Sequence, residues 1–220
     1  MNERLPVCAS CGVPEANKAC YSEEGKGLKS CPTEKMQDVI ERARQCYSKP
    51  EIAEFARQAS IQEAECYLNR GAKPFVCHPS KPRLQEICEF AKKMGYKRIG
   101  LAFCSGVHEE ARALTGVLKG YGFEVISAIC KVGRTPKEYI GIRDDQKICP
   151  GEFEPMCNPI AQAELLNEAK TEFNVVMGLC VGHDSLFFMH SRAPATVFAV
   201  KDRVLAQNPM AALYTLGSYY

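Results

Sequence analysis

From about residue 81 onward the apolar positions fall into two alternating rhythms, and this alternation is the clearest structural signal in the chain. Helical spacing over residues 83–94, 109–118, 160–172 and 185–190 is interleaved with short, near-continuous apolar runs over 98–103, 124–130, 174–180 and 196–201. Runs of this kind, separated by helices, belong to a parallel sheet covered on both faces. The expected fold is α/β and Rossmann-like over residues 81–220, with a small parallel sheet of about four strands flanked by helices. An irregular stretch containing Gly133, Pro136, Gly141, Pro150, Gly151 and Pro155 interrupts the alternation. No internal repeat or low-complexity segment is visible.

Upstream the pattern is different. Met36, Val39, Ile40, Ala43 and Tyr47 recur at helical spacing, with Thr33 as the expected N-cap and Pro50 as the stop. A second helix is expected over residues 51–69, with Ile52, Phe55, Ala56, Ala59 and Ala64 near one face and Arg70-Gly71 closing it. These two helices are expected to pair, forming a helical connector over residues 33–80. Residues 1–32 contain almost no large apolar side chains, so hydrophobic burial cannot order them. Something else must.

Composition supplies the candidate. There are 13 cysteines in 220 residues, well above ordinary usage but below the roughly 8–10% of short secreted disulfide scaffolds. The count is odd, and no signal-peptide layout opens the chain, so a reducing cytoplasm is the expected setting. The net charge of +2 is spread without a basic stripe, which argues against nucleic acid as a partner. No apolar run approaches the roughly 20 residues of a membrane span, so a membrane is not expected either.

Four cysteines gather at the start as Cys8-x2-Cys11-x8-Cys20-x10-Cys31-Pro32. The first pair has the spacing in which a tight turn lets two thiolates grip one ion, and Cys20 and Cys31 can complete four ligands. Four thiolates suit tetrahedral zinc, and they equally suit an iron–sulfur cluster, for which a Cys-Pro step such as Cys31-Pro32 is a further cue. A second Cys-x2-Cys knuckle, which a zinc ribbon would carry, is missing. The competing reading is four unligated, oxidisable thiols in a loop.

A second set emerges from the strand assignments. Cys104 follows the run ending at Phe103, Cys130 closes the second run and Cys180 the third, while Cys157 comes just before a helix. In open α/β sheets ligands sit beyond the carboxyl ends of the strands, so these four map to one rim. Three ligands with an open fourth position would suit catalysis at a metal or cluster, whereas four would suit an electron-transfer or structural centre. The bland alternative is packing, because a free cysteine behaves as a small hydrophobe. Cys46, Cys66, Cys77, Cys88 and Cys149 are read in that structural way.

Gly178-Leu179-Cys180-Val181-Gly182 also has the form of a nucleophile elbow with cysteine in place of serine. An elbow needs a base oriented by a carboxylate, and His190 is too close along its own helix to fold back. His183 and Asp184 are instead expected at a helix N-terminus, with Asp184 as cap or both as donors behind the ligands. His78 and His108 are weaker ligand candidates. Lys131 and Arg134 could receive an anionic substrate or be ordinary solvated charges.

The segments Ile99-Gly100-Leu101-Ala102-Phe103-Cys104, Glu154-Pro155-Met156-Cys157-Asn158-Pro159-Ile160-Ala161-Gln162-Ala163 and Gly178-Leu179-Cys180-Val181-Gly182-His183-Asp184-Ser185 carry a resemblance. Together with the tail Asn208-Pro209-Met210-Ala211-Ala212-Leu213-Tyr214, they resemble the DUF1847 family, an uncharacterised prokaryotic family usually labelled only "metal-binding protein". The resemblance spans nearly the whole chain. It implies a cysteine-rich N-terminus and metal binding without naming a reaction. It supports Cys8, Cys11, Cys20 and Cys31 as metal ligands and marks Cys104, Cys157 and Cys180 as the motif cysteines. The long interval from Cys11 to Cys20 departs from the family pattern and bears on Cys20.

The expected function is thus a cytoplasmic metal-binding protein with an N-terminal zinc or iron–sulfur site. A second thiolate site at the sheet edge is expected to hold a [4Fe–4S] cluster on Cys104, Cys157 and Cys180, with Cys130 as candidate fourth ligand, for redox or sulfur chemistry. A small-molecule substrate or a redox partner is implied. The alternative is a non-catalytic metal-binding or sensing module, with structural zinc and an α/β domain that binds a small anion.

Overall fold

The scarcity of apolar side chains near the N-terminus has a direct counterpart in the computed structural model, which describes residues 5–218. The chain divides into two compact units, one ending at Ile61 and the other beginning at Gln62. Among the described residues of the first unit none is buried. Its helices are α1 (Pro32–Lys35), α2 (Gln37–Cys46) and most of α3 (Pro50–Glu65). The single helix expected from Thr33 is broken at Met36, whose φ of −124° and ψ of 42° leave the helical region. Pro32, not Thr33, opens α1, with Cys31 as the N-cap residue, because proline is well suited to the first helical position. Pro50 opens α3 in the same way. The expected pairing of apolar helix faces is not what orders this unit, since Val39 is 40% exposed and α2 buries nothing.

α3 stops short of residue 69. The chain turns at Cys66 into β1 (Tyr67–Leu68), which pairs antiparallel with β2 (His78–Pro79). The start of the second unit is tied by a polar knot on α4 (Arg83–Lys93). Glu89 accepts hydrogen bonds from Lys81 at 2.6 Å, Gln85 at 2.7 Å and Gln62 at 3.0 Å. The Lys81 ammonium, above all, holds the Glu89 carboxyl down at about 2.

The α/β reading is borne out. Four strands, β3 (Arg98–Phe103), β4 (Glu124–Ile129), β5 (Phe173–Leu179) and β6 (Ala195–Val200), form one parallel sheet in the order β4-β3-β5-β6. They alternate with α5 (His108–Gly120), α6 (Pro159–Glu168) and α7 (His183–His190). A short α8 (Met210–Tyr214) follows. Every residue of β5 is buried, and so is all of β3 after Arg98, which requires helices on both faces of the sheet. Ile99, Leu101, Leu118, Leu166, Val175, Val176 and Phe187 form the densest part of this core. The edge strand β6 is half-exposed along its length.

The strand order fixes where a ligand can sit. From β3 the chain moves outward to β4, and then returns to the other side of β3 to lay down β5 and β6. The carboxyl ends of β3 and β5 therefore flank a topological switch point, the crevice in which doubly wound sheets bind ligands. Among the described residues no helix is long and apolar enough to cross a membrane.

Candidate functional site

Each of the four parallel strands delivers a chemically active side chain to the same edge. Sheet hydrogen bonding runs one residue past the strand ends: Cys104 N donates to Met177 O at 3.0 Å, Cys130 N to Phe103 O at 2.9 Å, and Lys201 N to Leu179 O at 3.1 Å. Cys104, Cys130 and Lys201 are thereby held in register, and Cys180 follows β5 directly. Cys157 arrives from the loop before α6. Its neighbour Asn158 donates its N–H to Cys130 O at 2.7 Å and caps α6 by accepting from Ala161 N at 3.0 Å. Behind these residues the fully buried Gln162 donates to Phe103 O at 3.1 Å and Ala128 O at 2.7 Å, tying together the strand ends that carry Cys104 and Cys130. Its Oε1 is buried without a partner among the described residues.

The thiols interact. Cys104 and Cys130 are buried, Cys157 and Cys180 half-buried, and all thirteen cysteines of the chain are free. Hydrogen bonding from Cys130 draws Cys157 down to about 6, with Lys131 adding to the effect, against burial and the nearby Cys180 and Cys104. Cys104 is pushed up to about 12, first by its own hydrogen bond to Cys130 and then by burial. Cys104 is thus the reluctant acid of the set and Cys157 the ready thiolate. Ser105 N donates to Cys130 Sγ at 3.3 Å, and Arg203 Nη2 donates to Cys180 Sγ at 3.1 Å. Burial pushes His183 down, keeping its imidazole neutral near pH 7.

This asymmetry is measurable. In reduced, metal-free protein, iodoacetamide is expected to alkylate Cys157 readily at about pH 7.5 and more slowly as the pH falls through about 6, because only the thiolate attacks. Cys104, still protonated, stays unmodified over the same range. Peptide mass spectrometry of a quenched time course reads both, and modification of Cys104 before Cys157 would contradict the geometry.

Cys180 sits in the tight turn between β5 and α7, but its sulfur accepts from Arg203, and His190 lies 4.0 Å from Glu164. Asp184 is not the helix cap, because Gly182, with φ of 83°, holds that place and Asp184 accepts from its neighbour Ser185 N. His78 is exposed on β2, and His108 packs against Phe103 and Glu109. Arg134 is exposed, whereas Lys131 turns inward and donates to Pro155 O at 2.6 Å. Cys66 and Cys88 are buried packing residues, whereas Cys46, Cys77 and Cys149 are exposed. Lys201, Arg203 and Ser105 belong to the site although no sequence motif marks them.

Cys8, Cys11, Cys20 and Cys31 all line one cavity of about 260 Å³. A tight turn bonds Cys11 N to Cys8 O at 3.1 Å. Gly27 leaves room for Cys31, since a Cβ there would come within 2.5 Å of Cys31 Sγ. Among the described residues no group of three or more Cys, His, Asp or Glu side chains stands in a geometry that could hold a metal ion.

Two sequence comparisons bear on this site. The profile of a family described as "Protein of unknown function (DUF1847)" matches residues 31–198, a span that includes Cys31 and all four sheet-edge cysteines. The "Uncharacterized protein MJ0455" of Methanocaldococcus jannaschii is 42% identical over 213 residues, covering 97% of this chain and 95% of the relative.

Proposed function

Starting from the chain's membership of the DUF1847 family, whose function is unknown, we propose that it is a metal-binding protein with two thiolate sites. The N-terminal set, Cys8, Cys11, Cys20 and Cys31, takes a zinc ion or an iron–sulfur cluster that orders its segment. The sheet-edge set, Cys104, Cys157 and Cys180 with Cys130 as fourth donor, takes a [4Fe–4S] cluster and is the working site. The observation that carries this reading is the convergence of these four cysteines at the switch point, where Cys130 holds the Cys104 thiol up and draws the Cys157 thiol down.

The donors suit a thiophilic group: they are soft, they come from four separate segments, and Lys131 and Arg203 lie beside them in place of carboxylates. When bound, a cluster supplies one-electron chemistry or a Lewis-acidic iron. The protein's own part is to present Cys157 as thiolate, to fix Cys104 and Cys130 through the sheet ladder, and to place Arg203 and the neutral His183 at the rim.

Anaerobic purification with iron, zinc and sulfide counted per chain tests the reading. About four irons and four sulfides are expected at the sheet edge, lost in Cys157→Ala with the N-terminal metal retained. Colourless protein holding one zinc, indifferent to Cys157→Ala, would overturn the cluster. In that event the second reading stands, a non-catalytic module whose only metal is structural zinc on Cys8, Cys11, Cys20 and Cys31.

A further inference from the structure

We propose that the sheet-edge site binds a small oxyanion of sulfate or phosphate size through Lys131, Lys201 and Arg203. The inference rests on the sheet edge being the working site, but it does not depend on which metal, if any, the cysteines hold. Its basis is a group of cations that the protein leaves without counter-charge. The other half-buried lysine and arginine side chains of this unit all have carboxylate partners: Lys137 pairs with Glu154 at 2.6 Å, Lys81 with Glu89 at 2.6 Å, Lys93 with Glu65 at 2.7 Å, Arg98 with Glu124 at 2.8 Å, and Lys147 with Glu138. Lys131, Lys201 and Arg203 form no ion pair with any described residue within 4.0 Å. All three border the thiols: Lys131 acts on Cys157, Lys201 on Cys104, and Arg203 donates to Cys180.

Asp202 and Asp184, carboxylates on the same two rim segments, bond backbone N–H groups and form no ion pair with the described residues. Asp202, between Lys201 and Arg203, accepts from Val204 N at 3.0 Å and Leu205 N at 2.8 Å. Asp184 accepts from Ser185 N at 2.8 Å. The backbone also makes room for the Lys201 head. A Cβ at Gly106 would lie 3.3 Å from Lys201 Nζ, and one at Gly178, where φ is +66°, would lie 3.7 Å from it and 2.9 Å from Val107 Cγ2. Two glycines on separate segments thus admit a half-buried ammonium that finds no protein anion among the described residues. Partial burial of an unpaired charge is costly, and a bound oxyanion removes that cost. A guanidinium and two ammonium groups suit the several acceptor oxygens of such a ligand.

The test is equilibrium binding of sulfate at low ionic strength to wild-type protein and to Lys201→Gln, Arg203→Gln and Arg203→Lys, with metal content measured in every sample. Lys119→Gln, on the exposed face of α5, is the control for nonspecific charge. Saturable binding is expected in the wild type, weakened at least about tenfold by Lys201→Gln and Arg203→Gln, largely kept in Arg203→Lys and unchanged in the control. Far-ultraviolet circular dichroism of each variant confirms that the fold persists. Absence of saturable binding, or equal affinity in wild type and both neutralised variants, would overturn the inference. Anaerobically purified protein that holds no iron yet binds sulfate would sink the cluster reading and leave this inference standing.

Discussion

Removing metal with a chelator under reducing conditions is expected to unfold residues 5–32, read as loss of amide-exchange protection across that segment. The reason is energetic. No described residue before Gln62 is buried, so the segment has no apolar core with which to offset the entropy of ordering its backbone, roughly 1–2 kcal/mol per residue. A structural zinc bound by thiolates supplies about 10–16 kcal/mol in small peptides, enough to hold turns such as Cys8–Ser10 and Glu15–Asn17. Cys11→Ser should have the same effect without a chelator, while the thermal transition of the parallel sheet stays where it was. Full protection of residues 5–32 in metal-free protein would show that the four cysteines have no ordering role.

Gly100→Ala is expected to destabilise the α/β unit by about 3–5 kcal/mol, a fall in melting temperature of roughly 10 °C. Gly100 sits in mid-β3, paired with Ile126 on one side and Asn174 on the other. A methyl group there would meet Asn174 Oδ1 at 2.0 Å and Leu166 Cδ1 at 2.8 Å. Asn174 is fully buried and cannot yield cheaply, because Oδ1 accepts from Thr171 Oγ1 at 2.8 Å and Nδ2 donates to Ser191 Oγ at 2.9 Å. Displacing it strands buried polar groups as well as overpacking the core. Gly116→Ala in α5 is the control: a Cβ there would meet nothing within 4 Å, so helix propensity alone should raise stability by about 0.5–1 kcal/mol. Equal melting temperatures for the two variants would refute the packing argument.

The sheet was legible because buried parallel strands write themselves as apolar runs. The run at 98–103 matches β3, and the other three end one residue beyond β4, β5 and β6. Those small overshoots mattered, for they assigned Cys130, Cys180 and Lys201 to strands when they are the first residues beyond them. The cysteines of the rim could be named since thiols are rare and conspicuous. Lys201 and Arg203 could not, because lysine and arginine are common and their meaning here comes from the strand order, which places β6 beside β5, and from glycines on two other segments. In the first unit periodicity misled. It showed amphipathic helices but could not reveal that their apolar faces remain unburied, or that Pro32 would start a turn ending at Met36.

The ladder bonds that extend past β3, β4 and β6 have a consequence for the order of assembly. The rim draws on Cys104, the Cys130 N–H, the Asn158 N–H and the Lys201 N–H, groups separated by nearly the whole α/β sequence. A nascent chain that has released β3 and β4 owns two of the thiols but no crevice, since β5 has yet to arrive on the far side of β3. Capture of the proposed ligand would therefore be a late event, gated by completion of the sheet. A group lodged at the rim then spans the last segments to dock and acts as a latch on a structure that is already finished.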